Sequence, residues 1–266
     1  MATFNSHPGR PTNPKLAVAG LFLLTSLLLS AGEDQKKIFA ARAETEFQRT
    51  KKQYQADANN STNAWQFART CYDFADFATS DPERADIANQ GIAACRQTTA
   101  REPKIAAGHY YLAMDLGQLA RTELLGALKL VREMEREFKT AAELDAQFDF
   151  AGPERNLGLL YRDAPGWPAS IGSKRKARTY LELAVKLAPA YPENHLNLAE
   201  SHLQWHESDT AKSELNALDA LLPAARTNFT GTQWEQSWDD WTTRRVAARK
   251  KLEEISAPEK PPKNGR

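Results

Sequence analysis

Two prolines, Pro189 and Pro223, stand 34 residues apart, and the chain between them repeats a pattern found upstream. With Pro192 as position 1 and Pro223 closing the unit at 32, Leu198 and Ala199 fall at 7 and 8. Ala211, Leu215 and Leu218 then fall at 20, 24 and 27. Small residues at 8 and 20 let two helices cross closely, and larger apolar ones at 7, 24 and 27 fill the interface. His202 at position 11 is the exception. The unit ending at Pro189 repeats the scheme, with Leu157, Gly158 and Tyr161 at 7, 8 and 11, and Ala177, Leu181 and Ala184 at 20, 24 and 27. It is longer because the loop "RDAPGWPASIGS" is inserted between its helices. Two looser units precede it, one carrying Leu112, Ala113 and Leu116, the other Trp65, Ala68 and Tyr72.

A helix pair recurring every 34 residues is the tetratricopeptide period. Such pairs bury their apolar faces only by stacking on one another. The expected fold is therefore all-α, a tetratricopeptide-like solenoid with expanded repeats spanning residues 33–255. It comprises four helix pairs, a helix near 35–57 before them and a capping helix after them. Ala and Leu are abundant and β-branched runs scarce, which agrees with helix. Trp234, Trp238, Trp241, Ala248, Leu252 and Ile255 share one helical face. That stripe either closes the last apolar surface of the stack or faces a partner. Residues 256–266 are rich in Pro and Lys and read as a disordered tail.

The first 32 residues have a different character. Arg10 and Lys15 precede an uncharged run from Leu16 to Gly32. This is the form of a signal peptide, and the run is also near the lower length for a membrane anchor. Export is expected either way, with release after cleavage or tethering to the inner membrane by residues 16–32. Leu29, Ser30 and Ala31 match the approach to a lipid-attachment cysteine, but Gly32 follows, so a cysteine-linked lipoprotein is excluded. Cys71 and Cys95 fall on the paired helices of the first unit. In an exported chain they are candidates for a disulfide, the alternative being two small buried hydrophobes.

No catalytic set emerges. "GPERNLG" and "GWPASIG" lack a phosphate-loop pattern, and Ser170 and Ser173 have no nucleophile setting. His195, His202 and His206 follow spacings of seven and four, yet the first two take positions that pack between helices, so no metal is expected. Near balance between 35 basic and 34 acidic side chains argues against nucleic acid as a partner. No cofactor is implied. The loop after Tyr161 is the most unusual stretch. Trp167 is its candidate anchor for a protein partner or ligand, with Arg162, Asp163, Lys174 and Arg175 flanking it. Phe148 and Phe150 open the same unit and either line an adjacent pocket or join the core.

The stretch from Phe148 to Glu200 resembles the T-component proteins associated with TRAP-type transporters. The resemblance rests on Phe148, Asp149 and Phe150 before Gly152 and Pro153, then on Leu157, Gly158 and Tyr161. It continues through Ala164, Pro165, Gly166, Gly172, Lys176 and Ala177 to Asn197, Leu198, Ala199 and Glu200. It implies a periplasmic helical-repeat protein without enzymatic activity, associating with a solute-binding subunit and assembling as a homo-oligomer around a central opening. Members are usually lipoproteins, and Gly32 departs from that pattern. The expected function is a protein-binding scaffold. The alternatives are a periplasmic carrier of an apolar small molecule and a structural subunit of the envelope.

Overall fold

The computed structural model describes residues 18–123 and 126–256, and of residues 18–32 the helical backbone alone. Residues 1–17 and 257–266 lie outside the described residues, and with them the start of the expected leader and the expected disordered tail. Among the described residues no helix is long and apolar enough to cross a membrane. Helix α1 (Val18–Ala56) runs across the division between two compact units, 1–42 and 43–266. The repeats belong wholly to the second unit.

Four antiparallel pairs follow: α2 (Ser61–Ala75) with α3 (Asp81–Arg101), and α4 (Ala106–Ala120) with α5 (Ala127–Leu144). Next come α6 (Phe148–Asp163) with α7 (Lys174–Leu187), and α8 (Pro192–Gln204) with α9 (Ser208–Asn228). A 3₁₀ turn (Thr232–Trp234) then leads into α10 (Glu235–Ser256). Each second helix also packs on the first helix of the next pair, and α10 packs on α8 and α9. This is an all-α tetratricopeptide-like solenoid. Local chemistry starts the helices: Asn60 caps α2 by accepting from the Asn63 amide, Ser80 caps α3 and Ser173 caps α7.

First and second helices do different work. Helices α4 and α8 bury side chains along nearly their whole circumference, including Tyr110, Leu112 and Leu116 on one and Leu196, Leu198 and Leu203 on the other. Helix α5 buries Phe138 and Ala141, and α7 buries Ala177, Leu181 and Ala184, so each seats a single stripe and leaves the rest to solvent. The first helices therefore form an inner layer and the second helices an outer one. The repeat positions are occupied as the spacing predicts: Leu157, Ala199, Ala211 and Leu215 are fully buried, and Tyr161 and Leu198 nearly so. Gly158 matters because of closeness: a Cβ there would lie 2.6 Å from Leu181 Cγ.

One expectation is corrected. Pro223 does not close its unit, because α9 continues through it to Asn228. Pro223 lies on the exposed side of α9, where the amide it lacks leaves a carbonyl to water rather than to the core. Cys71 and Cys95 are both free thiols. Cys71 Cβ sits 2.9 Å from where a side chain on Gly91 would begin, one helical turn before Cys95. They also enter different clusters, Cys71 with Phe47 and Phe67, Cys95 with Tyr110 and Leu116. The tryptophan stripe closes the stack: Trp241, Ala248 and Leu252 are buried against Leu196, Leu203 and Leu218. Two indole N–H groups are satisfied inside it, Trp238 donating to Phe229 O (2.8 Å) and Trp241 to Glu193 Oε2 (2.6 Å).

Candidate functional site

Helix α6 begins in an unusual way. Asp149, Phe150 and Ala151 all take left-handed backbone angles, with φ of 50°, 56° and 61°. For L-residues that conformation costs roughly 1–2 kcal/mol each. None is Gly or Asn, so partners from elsewhere must hold the turn. Arg155 does most of this. Its buried guanidinium donates to Asp149 O (3.3 Å), Phe150 O (3.2 Å), Asn194 Oδ1 (3.1 Å) and Asp149 Oδ2 (3.1 Å). Asn194 on α8 donates in turn to Phe150 O and to Ala184 O, each at 3.1 Å. From α4, the Tyr110 hydroxyl donates to Asp149 Oδ2 (2.7 Å), and Asn156 donates to Tyr110 Oη (3.1 Å). Tyr110 lies so close that a Cβ on Gly152 would come within 2.7 Å of its hydroxyl oxygen. Burial opposes the Arg155 charge, but Tyr110, Asp149 and Tyr191 around it outweigh this and hold it protonated.

The turn sends its two aromatics apart. Phe148 packs among Tyr110, Tyr111 and Trp65, and is a core residue. Phe150 stays 39% exposed and stacks on Tyr191 at 4.5 Å between centroids. Phe229 and Trp234 meet it edge-on. Together with Ala188–Ala190 and Asn228 these rings line an open cleft of about 450 Å³. That volume is within the range of small-ligand sites.

Around the same turn, charges from several first helices act on one another. Asp73 on α2 is half exposed yet surrounded by protein, and burial pushes it up to about 6 against the pull of Arg69, with Asp76 and Asp149 adding to the rise. Tyr72 on α2 is raised by burial and then by Asp76, Asp73 and Glu193, the last of these on α8. Tyr111 on α4 is raised by burial and by Asp149. Tyr111 and Tyr191 are buried residues, and the hydroxyls of Tyr72, Tyr111 and Tyr191 have no hydrogen-bond partner among the described residues. On the far wall burial pushes Glu193 up, but Arg244 and Arg155 outweigh it and hold Glu193 below the usual carboxylate range. Arg244 bridges Glu193 (2.8 Å), Glu200 (2.8 Å) and Asp240 (2.8 Å). Ion pairs on the first helices, Arg69 with Asp73 on α2 and Arg155 with Asp149 on α6, thus neutralise one another's charges around these tyrosines.

The loop residues marked out by sequence take separate roles. Trp167 is 89% exposed. Arg162 and Asp163 pair with each other (2.7 Å), and Arg162 also donates to Ser201 Oγ. Lys174 is drawn into an ion pair with Glu207 (2.8 Å), which Arg178 and His202 share, and it lies over the Trp205 ring. Arg175 is exposed. The histidines are structural: His195 contacts Pro189 O (2.9 Å) and Glu214 (3.0 Å), and His109 contacts Pro103 O (3.0 Å) and Glu137 (2.7 Å). Among the described residues no group of three His, Cys, Asp or Glu side chains is placed to hold a metal ion. Sequence reasoning missed Arg155, Asn194 and Tyr110. The available signal was polarity at positions of α4, α6 and α8 that point inward.

No protein-family model matches the chain, and no curated protein matches it. Among solved structures it is similar to the crystal structure of a thermophilic TPR protein of Thermus thermophilus. Identity is 17%, the match covers 85% of this chain and 95% of that one, and the TM-score is 0.60. The shared property is the tetratricopeptide fold.

Proposed function

We propose that the protein is a non-enzymatic, exported scaffold that binds a protein partner along its inner groove. The observation that carries this reading is the succession of ion pairs on the first helices, Arg69 with Asp73, Arg155 with Asp149, and Arg244 with Glu193 and Glu200. Tetratricopeptide-type stacks present extended surfaces of this kind for binding. The finer reading, supported by the resemblance of residues 148–200 to T-component proteins, is a periplasmic accessory of a TRAP-type transporter whose partner is the solute-binding subunit. Titration calorimetry with a purified solute-binding subunit tests it. Binding weakened by Arg69→Glu and by Asp73→Arg, both at exposed positions of α2, with unchanged helicity, is the expected result. Binding indifferent to both substitutions overturns the assignment to the groove.

A second reading is favoured by the aromatic cleft beside Phe150. A carrier of an apolar molecule would hold it there, between Phe150, Tyr191 and Trp234. Native mass spectrometry should then find a bound compound that is lost in Trp234→Ala and retained in Arg69→Glu.

A further inference from the structure

A different surface lies on the outer layer, between helix α5 and the loop that carries Trp167. The loop is tied down at both ends. Gly172 N donates to Pro165 O (2.9 Å), Ser173 N to Tyr161 O (2.8 Å), and Ala169 N to Gly166 O (3.1 Å). An indole held 89% exposed by such a scaffold is pre-ordered for contact, because its backbone loses little freedom on binding. Two residues on, Ala169 borders a recess of about 380 Å³ whose other wall is α5, through Leu128, Lys129, Arg132, Glu133 and Arg136. Leu128 in the recess is 40% exposed, and Trp167 stands two residues before Ala169 on the same loop, so two large exposed apolar residues belong to the segments that form it.

The charge of the recess is one-sided. Lys129, Arg132 and Arg136 follow at spacings of three and four, which places them on one helical face over roughly 10 Å. The one acid in the lining, Glu133, is already paired with Arg96 at 2.8 Å. Arg136 is partly satisfied by Glu137 at 3.4 Å. Lys129 and Arg132 have no ion-pair partner among the described residues. Flanking residues on the loop do not supply carboxylates, since Asp163 is engaged by Arg162.

We infer that this recess is a docking site for an acidic peptide segment carrying one large apolar side chain. The apolar side chain packs between Trp167 and Leu128, and the carboxylates meet Lys129 and Arg132. A recessed, one-signed site with an apolar flank fits a chain laid along α5, whereas a flat bilayer would leave the recess unfilled. The site shares no residue with the inner groove, so its failure and that of the proposed function are separable.

The test is fluorescence anisotropy with labelled peptides on the full chain. An Asp/Glu-rich peptide containing one Phe should bind, and roughly tenfold more weakly to Trp167→Ala and to Arg132→Glu. Raising salt from about 50 to about 300 mM should weaken it further. Both site residues lie at the surface, and unchanged thermal unfolding of the variants confirms that folding is intact. Equal binding of a Lys-rich control, or binding insensitive to both variants, overturns the proposal. So does Trp167-dependent binding to phosphatidylglycerol vesicles without peptide binding, which would make the surface a membrane contact.

Discussion

The repeats built on α4 and α8 and the one built on α6 solve the same problem in different ways. In α4 and α8 a histidine stands three residues before the first interface leucine, His109 before Leu112 and His195 before Leu198. Each contacts a proline carbonyl six residues back and a glutamate on the helix that follows. The start of the helix is secured within its own repeat. In α6 the equivalent position is Glu154, which is buried with Oε2 unpartnered, and a left-handed turn precedes it. Here the start is secured from outside, by Tyr110 on α4 and Asn194 on α8, with Arg155 between them. A repeat that gives up its local fastening becomes dependent on both neighbours. It is also the repeat around which the inner-face charges gather.

The sharpest way to break this contrast is Arg155→Met. It leaves Asp149 without its cation and its carbonyl without the Arg155 donor, with Phe150 O held by Asn194 alone, and should cost roughly 3–5 kcal/mol in urea unfolding. A loss below about 1 kcal/mol would show that the turn does not depend on its neighbours. Next in size is Glu154. Burial pushes its carboxyl up to about 7, so the folded state keeps a proton that the unfolded chain releases near the ordinary carboxylate value. Stability should therefore fall as pH rises from the ordinary value to about 7. Glu154→Gln should flatten that window and raise stability at pH 8 by on the order of 1–2 kcal/mol.

Gly158 sharpens the packing side of the comparison. Its equivalents in the other two repeats are Ala113 and Ala199, both fully buried. Gly158→Ala improves helix propensity yet pushes into Leu181, and a net loss of about 1 kcal/mol is expected from thermal unfolding. Smallest is the histidine clasp. The hydrogen bond to Glu137 is the main cause that raises His109 above its ordinary value, against the effect of burial. Its contribution is complete below the ordinary histidine value and is lost as pH rises through the folded value. His109→Asn should thus destabilise by about 0.5–1 kcal/mol at pH 5 and less at pH 8.5, read from paired denaturation curves.

The helix pairs were legible because each needs the same small and large residues at fixed offsets, and Leu157, Gly158, Ala177 and Leu181 meet as that spacing requires. The cap was legible for the same reason, through Trp241, Ala248 and Leu252. The left-handed turn was not, since "DFAG" places no glycine or asparagine at the three positions that need one and its partners come from distant helices. The basic run at 174–176 looked like an open surface, but Lys174 is claimed by Glu207 on α9's approach and Lys176 lies over Tyr161. Uncommitted cations also line the recess on α5, where the chain offered no motif to notice.

The two buried thiols carry a consequence for reactivity. Burial pushes both Cys71 and Cys95 well above the ordinary thiol value, with Asp115 adding to each. The thiolate is the form that attacks disulfides and meets oxidants. With that form suppressed inside a closed core, a thiol reagent should modify the folded protein only as fast as the core opens. The two cysteines thus serve as built-in reporters of how often the first repeats come apart.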